Sequence, residues 1–393
     1  MNILKILNKC IADDNLLNFI SPSKPFDVCV VCEEGKPPEL MTRTFSQRVC
    51  MDCKANLAYC KVCDTRRLTL NEDGICTICL QNACGVYDYH YKPNALFHRV
   101  YKNELVISEF GKKYRHYGVE IETDARPGRI LTTDKLASLC KLISRGKTDY
   151  EKLLYVKYDS TCSFEFVSHP FTWKYFNKYG KDVFKTLFNV LKSDGFYSQN
   201  ASDSGIHIHV SKASIKRTSI IKVLSLIYNK DNYDFILDVS QRDEDRLSNW
   251  ASIDLDLGGI KNPLTYLARH SNDRGRIERV IERSTAINLT PSNTIEYRLF
   301  NGSLNLNTLT KNIQFVKSTL DWADSVSLEE AIEESQISYL KFLKKNQKSY
   351  YDLCFYLNKR RWFEFQKTAD YFTRKHSTDL IHLKYNSDKG ELS

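Results

Sequence analysis

Four short segments of this 393-residue chain read as strands that carry acidic, histidine or arginine side chains at positions where a buried strand would be apolar. They are YGVEIET (117–123), DSTCSFEFVS (159–168), GIHIHVS (205–211) and TIEYRLF (294–300). Because successive side chains of a strand point to opposite faces, the apolar positions can enter a core while the charged positions share the other face. If these strands lie in one sheet, one of its surfaces carries several carboxylates, two imidazoles and a guanidinium.

The alternation assigns particular side chains to that surface. They are Glu120 and Glu122 of the first segment, Glu165 of the second, His207 and His209 of the third, and Glu296 and Arg298 of the fourth. Crowding so much charge is costly unless the groups are paired or bind a metal ion. The pattern therefore predicts a site for divalent metal ions.

The same segments resemble the motifs of a known family. GVEIE, EFVS, GIHIHV and the run from RSTAIN to TIEYRLF (283–300) occur in the order found in the amidoligases, which are relatives of glutamate-cysteine ligase. The resemblance covers about half of the chain, residues 115–325. It implies an α+β fold of the glutamine-synthetase type, with an antiparallel-rich sheet covered by helices on one face.

The resemblance also implies a reaction, the ATP-dependent joining of a carboxylate to an amine through an acyl phosphate. It gives metal and nucleotide binding to five residues: Glu120, Glu122, Glu165, His207 and Glu296. Asp159 lies close to this set in sequence. The ion implied is Mg²⁺, and a histidine ligand extends the choice to Mn²⁺. Arg298 would contact a phosphate, and Arg283 matches a second family arginine.

Several assignments stay open at this point. Either histidine alone could be a core residue with satisfied hydrogen bonds, and His207 is favoured over His209 as a ligand. Arg242 and Arg246 suit substrate binding and local ion pairs equally well. The tripeptide GKT at 146–148 is not a P-loop, because Lys141 stands where that motif requires glycine. ATP must therefore be held by other means.

A cysteine-rich segment precedes these motifs. Eight of the 13 cysteines form four CxxC pairs: Cys29 with Cys32, Cys50 with Cys53, Cys60 with Cys63, and Cys76 with Cys79. A CxxC turn presents two thiolates, and a structural zinc ion takes four. The spacing predicts two structural Zn²⁺ ions rather than a disulfide framework or a redox motif.

The pairing of the CxxC motifs has two solutions. Sequential pairing gives two similar units of about thirty residues, each with one zinc ion. A RING-like cross-brace would join the first motif to the third and the second to the fourth, but no histidine lies between residues 29 and 79. Sequential pairing is favoured. The remaining cysteines are expected to be buried thiols, with Cys10 or Cys84 as minor candidates for substitute ligands.

Composition bounds the location and the partners. With 42% hydrophobic and 27% charged residues the chain is typical of globular proteins, and no apolar run is long enough for a membrane helix. We expect a cytoplasmic protein whose substrates are small-molecule or peptide carboxylates and amines. The zinc module would dock a protein partner or a substrate. The net charge of +9 does not establish a nucleic-acid partner.

These observations predict four parts of the chain. They are a helical lead (1–26), a zinc-binding module (27–84), a catalytic domain (85–325) and a helical extension with a polar tail (326–393). Helices are predicted at 134–145, 173–193, 215–229 and 308–323. Two other functions remain open: a zinc-finger adaptor with an inactive ligase domain, and a metal-dependent hydrolase. Consumption of ATP distinguishes all three.

Overall fold

A computed structural model describes residue 92 and residues 95–125, 153–158, 162, 164–199, 204–253 and 284–364. It also describes short strands elsewhere, all in antiparallel pairs. They pair Asp27–Val28 with Gly35–Lys36, Met41–Thr44 with Gln47–Cys50, Ala58–Tyr59 with Arg66–Arg67, and Tyr385–Asn386 with Glu391–Leu392. The zinc-binding side chains predicted between Cys29 and Cys79 lie outside the described residues.

Ten strands form the described β-structure of the main body. They are β1 (Leu105–Ser108), β2 (Gly111–Tyr114), β3 (His116–Ala125), β4 (Leu154–Tyr158), β5 (Phe164–Ser168), β6 (Phe171–Thr172), β7 (Phe196–Tyr197), β8 (Gly205–Ser211), β9 (Ile287–Asn288) and β10 (Thr294–Asn301). Strands β1 and β2 form a separate hairpin. The large sheet runs in the order β4, β5, β3, β8, β10, β9, and β6 and β7 pair with the ends of β3.

All strand pairs of the large sheet are antiparallel. Val119 and Ile121 of β3 are fully buried, as are Ile206 and Ile208 of β8 and Tyr297 of β10. This apolar face packs into the main core. The large antiparallel sheet of a mixed α/β fold is therefore present, and its opposite face carries the charged residues.

Eight α-helices accompany the strands in the described part. They are α1 (Lys181–Ser193), α2 (Arg217–Tyr228), α3 (Tyr233–Ser240), α4 (Glu244–Trp250), α5 (Leu306–Ser325), α6 (Leu328–Glu333), α7 (Ser335–Lys345) and α8 (Tyr351–Lys359). A helical turn, Trp173–Tyr175, and a π-helical turn, Phe176–Gly180, lead into α1. Shorter 3₁₀ turns are Lys102–Glu104, Lys212–Ser214, Lys230–Asn232 and Gln347–Tyr350.

Side-chain caps fix where the helices begin. Asn305 accepts hydrogen bonds from the first amides of α5, and Ser327 accepts one from the amide of Glu330 in α6. Such caps satisfy amides that have no partner within the helix. The long helix α5 lies across the sheet, and α8 packs on α5. The helices after residue 325 therefore share one core with the sheet, with Trp322 and Tyr339 fully buried in it.

The sequence-based elements agree with the structure where it describes them. The predicted helices 173–193, 215–229 and 308–323 correspond to α1 with its leading turns, α2 and α5. The segment 205–211 is a strand over its full length, whereas only Phe164–Ser168 of the segment 159–168 is described as a strand. The helix predicted at 134–145 lies outside the described residues. No helix in the described ranges has the length and apolarity needed to cross a membrane.

One buried cation provides a test of the fold. Lys311 of α5 donates hydrogen bonds to the carbonyl of Val239 (2.7 Å) and to Oε1 of Gln241 (2.9 Å). Burial lowers the pKa of Lys311 from 10.5 to about 7, although Asp238 opposes the shift and Arg360 adds to it.

We expect Lys311 to make the protein more stable as the pH rises. Above pH 7 the folded lysine is neutral, whereas the unfolded lysine keeps its proton up to about pH 10.5. The unfolded state then binds more protons, so the free energy of unfolding rises by up to about 1.4 kcal/mol per pH unit. Urea unfolding at pH 7.5 and pH 9 should show this gain in the wild type relative to Lys311→Met. Parallel pH profiles for the two proteins would contradict it.

Candidate active site

Strand pairing brings the charged positions of three strands side by side. Glu120 of β3 is the register partner of His207 in β8. On the other edge of β8, His209 is the register partner of Glu296 in β10. Cross-strand partners lie close enough for their side chains to interact. The two histidines of β8 therefore lie between carboxylates from both neighbouring strands.

A break in the register adds a further contact at this point. Ile206 pairs with Phe300 and Ile208 pairs with Tyr297, so two residues of β10 face the single residue His207. This is a β-bulge, which bends a strand and changes the direction of its side chains. Arg298 is one of the two bulged residues, and its Nη1 lies 2.5 Å from Oε1 of Glu296.

Three side chains meet closely enough to hold one metal ion. Ligand atoms of Glu120, His207 and Glu296 all lie within 4.8 Å of one another. Nδ1 of His207 lies 3.4 Å from Oε2 of Glu120 and 3.6 Å from Oε1 of Glu296. Two carboxylates and one imidazole form a donor set that suits Mg²⁺ or Mn²⁺. The residues present therefore fit a divalent cation.

Glu296 is held by more contacts than a ligand alone would need. Its Oε2 accepts a hydrogen bond of 2.7 Å from Nδ2 of Asn288, its register partner in β9. Its Oε1 accepts one from Arg298. The carboxylate is 5% exposed, so these two donors fix its orientation in the sheet.

The other two predicted carboxylates lie on the same face but have different partners. Glu122 accepts a 2.6 Å hydrogen bond from the amide of Gly205, and its Oε1 is 3.8 Å from Nε2 of His207. Glu165, the register partner of Glu122, forms a 2.8 Å ion pair with Lys157 of β4. Neither is part of the three-residue group. Both lie beside it, Glu122 on β3 and Glu165 on the adjacent strand β5.

The ionisation of Glu120, Glu296 and His209 depends on their charged neighbours. Burial opposes ionisation of Glu120, but the imidazoles of His209 and His207 hold its pKa well below its usual range. The pKa of Glu296 is also lowered against the effect of burial, by the same imidazoles and by Arg298. Burial lowers the pKa of His209, but Glu120 and Glu296 raise it to about 9. These groups therefore form one electrostatic cluster.

The pKa of Glu165 is shifted in the opposite direction from those of Glu120 and Glu296. Burial raises its pKa to about 8, the charge of Glu120 adds to the shift, and Lys157 only partly offsets it. His209 also contacts Glu120, with 3.2 Å between Nε2 and Oε1, and its Nδ1 lies 3.3 Å from Oγ1 of Thr294. Both residues border the metal-binding group.

Two residues of the site are not among the predicted site residues. Asn288 orients Glu296, and Lys157 pairs with Glu165. Asn288 is the last residue of the motif RSTAIN, whereas the only sequence signal for Lys157 is a polar residue alternating with apolar ones in LYVKY. Neither segment is a strand motif rich in charge, so neither residue was predicted.

The side chains of ten predicted residues lie outside the described part of the chain. They are those of Arg283, Asp159 and the eight CxxC cysteines. Of the expected buried thiols, Cys162 and Cys354 are both 6% exposed. Burial raises the pKa of Cys354 to about 12, as expected for an inert thiol.

No curated protein matches the chain. Among solved structures, the chain is similar to one of the complex between the prokaryotic ubiquitin-like protein Pup and its ligase PafA, with 10% identity and a TM-score of 0.30. The similarity covers 67% of this chain, which spans 65% of the other.

A family profile gives a more specific result. Residues 141–320 match the family described as "Putative amidoligase enzyme". The matched range contains Glu165, His207, Glu296 and Arg298, and it begins after Glu120. The match supports an amidoligase family for this part of the chain.

Proposed function

We propose that the chain is an ATP-dependent carboxylate-amine ligase that forms an amide or peptide-like bond through an acyl phosphate. The observation that carries the proposal is the meeting of Glu120, His207 and Glu296 within 4.8 Å on one face of the sheet. Arg298 donates a hydrogen bond to Glu296 of this group. Phosphoryl transfer from ATP needs divalent metal and a cation near the transferred group, and this face offers residues for both.

Each residue of the site has a role in this proposal. Glu120, His207 and Glu296 hold a divalent cation, and Glu122 and Glu165 flank it. The cation, when bound, neutralises the triphosphate of ATP. Arg298 binds a phosphate oxygen. Its Nη1 is engaged by Glu296, and its buried Nε has no hydrogen-bond partner among the described residues.

The protein groups also prepare the site before substrate arrives. Asn288 and Arg298 fix the two oxygens of Glu296, and Gly205 fixes Glu122 through its amide. Groups that are already oriented do not need to reorganise during the reaction. Arg283 is kept as a second candidate for contact with the substrates, on its match to the family motif alone.

The substrates and the front end are proposed on sequence grounds. We propose small-molecule or peptide substrates and a cytoplasmic location. Residues 27–84 would bind two structural Zn²⁺ ions and dock a partner or substrate, before a catalytic domain at 85–325 and an extension at 326–393. Catalytic candidates all follow residue 115, so the zinc module would not take part in the chemistry.

Metal analysis tests the front end separately from the ligase. We expect about two zinc ions per chain in protein purified without chelators, because four CxxC pairs supply two sets of four thiolates. Elemental analysis measures the ratio. Protein without zinc, whose cysteines are paired as disulfides, would show that this part of the proposal is wrong.

The ligase proposal is tested by the turnover of ATP. The intact protein is incubated with Mg²⁺ or Mn²⁺, ATP, and pairs of carboxylates and amines drawn from amino acids and peptides, and ADP is measured. We expect ADP and an amide to form together with one class of pairs. Protein that binds no ATP with either metal would contradict the proposal. Amide hydrolysis without ATP would indicate the hydrolase instead.

A further inference from the structure

The turn after helix α3 brings one more arginine to the charged face. Gln241 closes the helix with a left-handed backbone (φ 60°), which reverses the chain just before Arg242. The turn is anchored on both sides. Nδ2 of Asn301 donates to the carbonyl of Gln241 (2.8 Å), and Lys311 donates to its side chain. Gln241, the residue immediately before Arg242, is therefore held by contacts with β10 and α5.

The side chain of Arg242 is buried at the metal-binding group. Its exposed fraction is 5%, and its Nη2 lies 3.4 Å from the carbonyl oxygen of Arg298. Gly205, the first residue of β8, shows where the guanidinium lies. A Cβ atom built on Gly205 would be 2.5 Å from Nη2 of Arg242, 3.3 Å from Nε2 of His207 and 3.4 Å from Oε2 of Glu122.

Three functional side chains thus converge on one glycine. Gly205, His207 and His209 share a face of β8, so the Cβ position points toward the charged surface. Any larger residue at 205 would push the guanidinium of Arg242 away. The absence of a side chain at Gly205 is what lets Arg242 approach the imidazole of His207.

We propose that Arg242 and Arg298 form an oxyanion-binding subsite beside His207. This inference rests on the proposed ligase function and specifies how its anionic substrate is bound. A guanidinium binds carboxylate and phosphate oxygens through a planar fork, which suits both. The ligand is therefore a phosphoryl group of the nucleotide or the carboxylate of the acid substrate. Both guanidinium groups lie on the face that carries Glu120 and Glu296.

The turn that carries Arg242 is fixed by contacts within the fold. Gln241, which precedes Arg242, is anchored by two groups outside the charged face, Asn301 and Lys311. A fixed guanidinium does not need to be ordered when the ligand binds, so less free energy is lost on binding.

The test measures ligand binding by calorimetry with the full-length protein. Wild type, Arg242→Lys and Arg242→Gln are titrated with Mg·ATP and Mg·ADP, and with acetate in the presence of Mg·ADP. Arg217→Lys is the matched control, because this arginine pairs with Glu109 at the surface. Loss of a charge-assisted hydrogen bond should weaken binding by about tenfold to a hundredfold. Melting temperatures check that the variants are folded.

The ligand whose binding weakens identifies the source of the oxyanion. Weaker binding of Mg·ATP with unchanged Mg·ADP assigns the subsite to the terminal phosphate, and weaker binding of both assigns it to an inner phosphate. Weaker binding of acetate alone assigns it to the carboxylate. If the folded variants bind all three ligands as tightly as the wild type does, the proposed subsite is contradicted and the ligase proposal stands. Failure of wild type to bind Mg·ATP would overturn both.

Gly205→Ala provides an independent route to the same subsite. The added Cβ would lie 2.5 Å from Nη2 of Arg242 and must displace it. We expect Gly205→Ala to weaken the binding of the same ligand as Arg242→Lys does. We also expect the two changes to be non-additive, since the shorter lysine vacates the contested space. Additive losses in the double variant would contradict the placement of Arg242.

Discussion

Replacement of Glu296 by glutamine is expected to lower ATP turnover by about 10²-fold or more and to weaken metal binding at the same time. Glutamine keeps the shape of the side chain but removes the negative charge. It also removes one acceptor shared with Arg298, which bonds to Oε1, while Asn288 bonds to Oε2. The change therefore affects both the metal-binding group and the phosphate-binding arginine. Steady-state ADP formation and Mn²⁺ titration measure the two effects.

The matched control is Glu109→Gln. Glu109 is a partly exposed glutamate that pairs with Arg217 at 2.9 Å and is not one of the candidate ligands. This change should leave turnover and metal binding unaltered. Arg298→Lys should reduce turnover with little loss of metal binding, because lysine keeps the charge but loses the fork. Unchanged turnover in both Glu296→Gln and Arg298→Lys, with the wild type active, would show that the chemistry takes place elsewhere.

Replacement of Arg115 by methionine is expected to lower the free energy of unfolding by about 2–4 kcal/mol. Arg115 immediately precedes β3 and forms ion pairs with Asp321 (2.6 Å) and Asp324 (3.0 Å) of α5. Its own side chain is 5% exposed, whereas the two aspartates are 29% and 25% exposed. Because the aspartates reach some water, we place the effect below that of a fully buried pair. Urea unfolding at neutral pH measures it.

Asp321 and Asp324 have other partners that limit the loss. Tyr350 donates a 2.6 Å hydrogen bond to Asp321, and Ser219 donates one of 2.6 Å to Asp324. Arg217→Met is the control, since its pair with Glu109 is solvent-accessible on both sides and should contribute no more than about 1 kcal/mol. Equal losses for the two arginines would mean that the link between β3 and α5 does not stabilise the fold.

The sequence alone identified four strands, β3, β5, β8 and β10, and the faces on which their predicted site residues lie. Side chains alternate along a strand for local steric reasons, so Glu120 with Glu122 and His207 with His209 could be assigned to shared faces without a structure. Helices α2 and α5 were predictable in the same way, because their apolar residues recur at helical spacing. The predicted zinc module remains a prediction, as its side chains lie outside the described residues.

Only the tertiary structure determined which of these residues meet. Strand register places Glu120 opposite His207 and Glu165 beside Lys157. A bulge brings Arg298 into contact with Glu296. Register and bulges depend on contacts between strands far apart in sequence, which a local pattern does not specify.

Arg242 shows the same limit most clearly. Its sequence context, SQRDEDR, is equally compatible with a surface ion pair and with a binding site. Its position depends on the turn at Gln241, on the anchors Asn301 and Lys311, and on the missing side chain of Gly205. The sequence by itself determined the alternation that places charge on one face of the sheet. The packing of distant elements decided which charges form the site, because such contacts depend on the fold as a whole.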